Sequence, residues 1–252
     1  MLKRLLVGGA AIGSAAAWAG FVSARTLWRS WGVIPEIGAQ ALPGDDLVAD
    51  AEAVDTRVLD IDAPPARVWP WLVQMGYGRA GWYSYDQLDM SHTSLDHVAP
   101  DLQSLAVGDL VPTHPGGGFE VKVLEPDRAL VLYADRALMV AQVEKAHRPE
   151  VVTEEAPANL RATGAYLERS MPGDFAASWA FVLEPLDKGR TRLIERFRIQ
   201  MAPPSDARPV PAFVKTLLGF GVFVMTRRQM LGIRDRVEGR PIKGLRLAPK
   251  QA

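Results

Sequence analysis

The chain has 252 residues, of which 48% are hydrophobic and 23% charged, so it is long enough for one domain with a substantial core and has no low-complexity tract. Lys plus Arg and Asp plus Glu stand at 29 each, a balance that gives no electrostatic reason to expect nucleic acid as a partner. The absence of cysteine excludes disulfides, thiolate metal sites and cysteine nucleophiles, and leaves the compartment open.

The first predicted element is apolar. After Lys3 and Arg4, residues 5–24 run for twenty positions without a charge, long enough to cross a hydrocarbon core of about 30 Å as a helix. Its Ala and Gly content makes insertion marginal beside a Leu-rich span. Trp28 and Trp31 near the boundary, with Arg25 and Arg29, favour a retained single-pass membrane anchor at 1–24. The rival is a signal peptide cleaved at Val22-Ser23-Ala24, which would leave a secreted protein. Basic residues flank both ends, so orientation stays open. Residues 25–50, with Pro and Gly punctuation and no sustained period, read as a linker leading into the domain.

From 51 to 240 the pattern is that of one domain. Residues 54–62 alternate as a strand with Leu59 and Ile61 on one face. Asp62 is placed to cap a helix begun by Pro64 and Pro65, in which Val68, Trp71, Leu72 and Met75 share a face and Pro70 forces a kink or a short helix. Gly76, Gly78 and Gly81 open a loop, and Ser84 starts a second short helix, SYDQLDM. Residues 107–113 and 119–124 are strands around HPGGG, and ALVLYA is another. Residues 135–175 read as an irregular insertion. Residues 178–184 and 191–199 form a hairpin around LDKGR. The segment 219–238 is helical, with a stripe of Phe220, Phe223, Val224, Met230, Leu231 and Val237. Its uncharged run 216–226 is too short to span a bilayer and reads as core. Residues 241–252 are a tail. Strand, two short helices, antiparallel strands and a long terminal helix together predict an α+β fold with the helix on one face of a sheet.

The blocks APPARVWPWLVQMGYGRAGWYSYD, LAVGDLVP, SWAFVLEPLDKGRTRLIERF and FVMTRRQMLGIRDRVEG resemble, in that order over roughly residues 30–240, a membrane-anchored bacterial branch of the SRPBCC superfamily, the START-like and polyketide-cyclase-like proteins. The resemblance implies a helix-grip fold, in which a curved antiparallel sheet wraps the C-terminal helix. It also implies an apolar cavity under that helix, gated by the two short helices. Some such proteins carry lipids or other hydrophobic molecules, and others catalyse ring closure or dehydration. It brings no catalytic motif that maps residue by residue.

The segment 69–86 holds six of the chain's twelve Trp and Tyr residues. Trp69, Trp82, Tyr83 and Tyr85 are therefore candidate pocket residues, with Trp71 reading as core on the Val68/Leu72/Met75 face. Phe119, Trp179, Phe197, Phe223 and Arg227 join them as ligand-binding candidates from the strands and the terminal helix. Glu195 is the sharpest anomaly: in TRLIERFRI it shares a face with Leu193, Phe197 and Ile199. A carboxylate there needs a partner or a raised pKa, which suits a polar anchor or an acid in a cavity, or else a bulge turns it to solvent. Arg227 and Arg234 lie in the helical stripe, either to meet Glu195 or to reach water over the core. Arg192, Arg196 and Arg198 read as the solvated face of the strand, with anionic lipid as a weaker option.

His92, His97 and His114 lie near Asp86, Asp89 and Asp96, yet no spacing such as HExxH supports a metal site. PGGG at 115–118 is a turn and not a phosphate loop, no nucleophile elbow is present, and no cofactor is implied. Three readings follow. The first is binding or transport of a hydrophobic small molecule, such as a lipid, isoprenoid or polyketide-like compound. The second is a cyclase or dehydratase with Glu195 as general acid/base and Tyr83 or Tyr85 orienting the substrate. The third is a protein-interaction scaffold. Oligomeric state is not readable.

Overall fold

The computed structural model describes residue 20 and residues 25–89, 93–114, 117–146, 174–202 and 211–242. Most of the 1–24 segment and the 241–252 tail, with the middle of the 135–175 segment, therefore lie outside the described residues. Among the described residues no helix is long and apolar enough to cross a membrane.

The elements in chain order are α1 (Arg25–Arg29), α2 (Pro35–Ala39), β1 (Ala53–Ile61), α3 (Pro65–Val73), β2 (Leu110–His114), β3 (Gly117–Glu125), β4 (Ala129–Asp135), α4 (Arg136–Ala146), β5 (Asp174–Leu186), β6 (Arg190–Ala202) and α5 (Ala212–Val237). The strands form one antiparallel sheet in the order β1-β6-β5-β4-β3-β2. The fold is thus α+β, with a six-stranded antiparallel sheet and a 26-residue C-terminal helix in the helix-grip arrangement. Register shifts at Val121/Val123 and Pro112/His114 mark bulges, which bend strands and sharpen their twist.

Period-two alternation sorts the strands between two cores. One face carries Ile61 and Leu193, then Phe181 and Leu183, Leu130 and Leu132, and Val121. These pack with α3 residues Val68, Trp71 and Leu72 and with Met230, Ile233 and Val237 of α5. The other face carries Val58, Ile194, Val182 and Ala129, covered by Ile37 and Leu42. The segment between α1 and β1 therefore packs as the back layer of the sheet. Gly32 makes its start possible: it sits at φ +75, and a Cβ there would lie 2.1 Å from the Val58 carbonyl oxygen.

Four local expectations change. The helix after β1 has Pro64 at its N-cap with no side-chain cap, while the Asp62 N–H donates to Glu238. The expected second short helix from Ser84 is a turn, in which the Leu88 and Asp89 N–H groups both bond the Tyr85 carbonyl. The start of the supposed irregular insertion is the helix α4, tied to β3 by Gln142, whose amide donates to and accepts from the Gly118 backbone at 3.1 and 2.8 Å. Finally, α5 begins at Ala212, nearly two turns before the predicted start.

Candidate functional site

The loop after α3 leads the chain under α5. Gln74 is fully buried and organises it: its amide donates to the Tyr83 hydroxyl at 2.9 Å and to the His97 carbonyl at 3.1 Å, and its oxygen accepts from Ala99 N at 3.0 Å. Tyr83 has φ +58, a conformation a bulky residue holds only when its surroundings over-determine it. Its N–H donates to Ser94 Oγ, its hydroxyl donates to the Trp71 carbonyl, and the Arg236 guanidinium lies 4.6 Å from its ring centre. Burial pushes the hydroxyl pKa up. Gly232 of α5 presses against the same residue, where a Cβ would come 2.1 Å from the Tyr83 carbonyl oxygen. Tyr83 is thereby the clasp between loop and helix.

Beside that clasp lies a cavity of about 230 Å³, walled by Trp82, Ser84 and Asp89 from the loop, Thr113 of β2, Trp179 of β5, and Met225, Thr226 and Gln229 of α5. Trp82 and Trp179 stack at 5.3 Å and form its aromatic side. Ligand sites for drug-sized molecules run to about 300–1,000 Å³, whereas about 150 Å³ of apolar space suffices for a benzene ring. The space suits one or two rings or a short acyl segment. It is smaller than the deep cavity the resemblance implies, and Phe119, Phe181 and Phe197 crowd around Trp179 with ring centres 5.1–6.3 Å away.

Trp179 is aimed by what lies behind it. Its indole N–H donates to Glu195 Oε1 at 2.7 Å, and Arg57 donates to Glu195 Oε2 at 2.9 Å. Arg57 and Glu195 face each other across β1 and β6, and their side chains are 0% and 1% exposed. Arg57 also donates to Asp55 at 3.2 Å, and Asp55 accepts from Arg29, so the network runs to the start of the described domain. The Arg57 guanidinium lies 5.9 Å from the ring centre of Phe223, and its Nε has no partner. Burial pushes the Glu195 carboxyl above its ordinary range, while Arg57 and the indole N–H favour the charged form.

The candidates divide accordingly. The structure brings Trp82 and Trp179 together on the cavity, with Phe119 and Phe197 around Trp179 and Phe223 over Arg57. Glu195 does not line the cavity. Both of its oxygens are engaged, so the arrangement fixes an indole and presents no free carboxylate to a ligand. Its partner is Arg57 and neither candidate arginine of the terminal helix: Arg227 reaches solvent over Trp31 at 5.0 Å, the second of the two alternatives for it, and Arg234 pairs with Asp235. Trp69 packs on the outside of the core, and Tyr85 closes the 85–89 turn. His97 pairs with Asp96 at the surface, His92 lies outside the described residues, and no metal-binding group of three or more residues occurs among the described ones.

Arg57 carried the same signal as Glu195, since in DTRVLDI it shares the face of Leu59 and Ile61. Thr113, Met225, Thr226 and Gln229 carry no such signal, because a Thr in a strand and a Met, Thr or Gln on a mixed helix face are unremarkable in sequence.

Arg196 and Arg198 correct the reading of a solvated strand face. Arg196 is buried, donating to the carbonyls of Ile37 and Gln40, to Asp45 and to Thr56, and Arg198 donates to the carbonyls of Val48 and Ala49. Arg192 is the most open of the three, forked onto Asp60, and Arg198 is partly open as well.

No family model matches the chain, and no curated protein resembles it significantly. Among solved structures, a Mesorhizobium loti protein aligns at 15% identity over 74% of this chain and 98% of its own, with a TM-score of 0.34. A conserved Geobacillus kaustophilus protein aligns at 12% identity over 72% and 93%, with a TM-score of 0.32. An Arabidopsis thaliana member of the major latex protein family aligns at 13% identity over 71% and 94%, with a TM-score of 0.28. Likenesses of that strength do not bear on function, and the architecture stands on this chain's own strand order and registers.

Proposed function

We propose that this domain binds a small hydrophobic molecule in the cavity between the sheet and the C-terminal helix, and that residues 1–24 tether it to a membrane. The observation that carries the binding reading is the 230 Å³ space walled by stacked Trp82 and Trp179, with Ser84, Thr113, Thr226 and Gln229 able to hydrogen-bond a ligand's polar end. Apolar area with a few convergent polar groups is what a small-molecule site requires. The ligand class is a compound with one or two rings, or a short acyl or isoprenoid segment, bearing a hydroxyl, carbonyl or amide. The tether rests on the twenty uncharged residues 5–24.

The binding reading is tested by filling the space. Thr226→Phe places a ring inside the cavity. The full chain in lipid nanodiscs is titrated with a naphthol probe, followed by quenching of the Trp82/Trp179 emission. Saturable quenching in the wild type, weakened at least tenfold in the variant with unchanged thermal stability, supports the reading. Equal titrations of the two proteins would remove it.

A further inference from the structure

The two halves of α5 live in different surroundings. From Thr226 onward one face of the helix is buried against the sheet and the loop clasp, with Met230, Ile233 and Val237 in the main core. Before it, Leu217, Leu218 and Val222 are 50%, 64% and 48% exposed. With Gly221 they form a stripe at i, i+1, i+4 and i+5, one face of a helix. The run 216–226 expected to be core is therefore largely a surface.

Three further features point to what meets that surface. The stretch from Thr216 to Thr226 has no charge and is closed at both ends by exposed cations, Lys215 and Arg227. At 1.5 Å per residue eleven residues extend roughly 16 Å, too short to cross a bilayer but suited to lying in its interface with cations at headgroup level. The helix α1 packs on this half of α5, with Trp28 edge-on to Phe220 at 5.2 Å, and Leu27 of α1 is 73% exposed. The uncharged run 5–24 ends one residue before α1, so the chain's longest apolar segment joins the domain beside the stripe.

We infer that Leu217, Leu218 and Val222 form a docking face that seats the first half of α5 in the headgroup–acyl boundary of a lipid bilayer. A second copy of this chain would also cover apolar side chains. The flanking cations and the adjoining apolar run instead fit an anionic lipid surface. Met225 and Thr226, the next turn of the same helix, line the cavity, so docking places the binding site next to a phase in which hydrophobic ligands concentrate. The inference rests on the membrane reading of residues 5–24, and the experiment separates the two.

The chain contains no cysteine, so single-cysteine variants of the full chain can be labelled cleanly. Leu218→Cys and, as a distant exposed control, Val107→Cys carry an NBD fluorophore and are reconstituted in phosphatidylcholine–phosphatidylglycerol vesicles with brominated acyl chains. The expected result is a blue-shifted Leu218 probe quenched several-fold more than the Val107 probe. Adding Leu217→Asn and Val222→Asn should at least halve that quenching without moving the thermal midpoint. Protein that floats with the vesicles but shows equal quenching at both sites overturns the docking face and leaves the tether standing. Protein that does not float overturns both. A Leu218 probe that is blue-shifted yet insensitive to bromolipid shows the face covered by a second copy or by residues 5–24, and also overturns the inference.

Discussion

The two faces of the sheet each bury an arginine, and they use it differently. On the front, Arg57 meets a carboxylate: Glu195, with Asp55 beside it, and the product is a fixed indole at the edge of a cavity. On the back, Arg196 divides its donors evenly between main chain and side chains. It draws the carbonyls of Ile37 and Gln40 onto β6 and adds Asp45 and Thr56. The front pair is a support for a site. The back arginine is a strap that makes an aperiodic segment behave as a layer. An isolated buried charge costs several kcal/mol, so neither arginine would remain without its partners.

That contrast can be broken most forcefully at Arg57. Arg57→Met leaves Glu195 buried without its cation and should cost about 3–5 kcal/mol in urea unfolding. The double variant Arg57→Met/Glu195→Leu should recover much of the loss, because an apolar replacement of a buried pair is often close to neutral. Arg196→Met should cost about 2–3 kcal/mol, the scale of charged hydrogen bonds lost from buried partners. Its signature is local: amide hydrogen exchange should accelerate across residues 37–49 while the front core stays protected.

Gly232→Ala tests the clasp from the helix side. Its Cβ would collide with the Tyr83 carbonyl, and overpacking of this kind costs about 1–3 kcal/mol, read as a lowered unfolding midpoint. The pH dependence sharpens the front site. Glu195 has a raised folded-state pKa, so folding favours its protonated form. Its contribution is fully present below the ordinary value near 4.5 and is lost as pH rises through the folded-state value. Relative to Glu195→Gln, the wild type should therefore gain stability as pH is lowered through the folded-state value toward the ordinary one, and paired thermal melts check the sign. The smallest effect is Tyr83→Phe, which removes the hydroxyl's bonds to Gln74 and the Trp71 carbonyl and should cost about 1 kcal/mol.

The elements with a clean period were legible in the sequence. The β1 alternation, the β5–β6 hairpin and the Val68/Trp71/Leu72/Met75 face correspond to the observed strands and helix, and the apolar face around Glu195 is the inward one. What failed depended on partners that only the register supplies. Arg57 sits opposite Glu195 because β1 pairs with β6 in one register, which no single strand encodes. Arg196 and Arg198 were assigned to the correct face but to water, since the segment covering them has no periodicity to announce it. The cavity polar groups Thr113, Thr226 and Gln229 come from a strand and a helix that meet only in the fold. The first half of α5 looked like core because hydrophobicity alone does not say which apolar face has a partner within the domain.

The measurement that tests the central claim most directly is the mass-spectrometric composition of organic extracts from the full chain purified without denaturation from cells, compared with Thr226→Phe prepared identically. The account predicts one small hydrophobic species near one per wild-type chain, depleted at least tenfold in the variant. Extracts that match between the two proteins would contradict a ligand in the Trp82/Trp179 cavity.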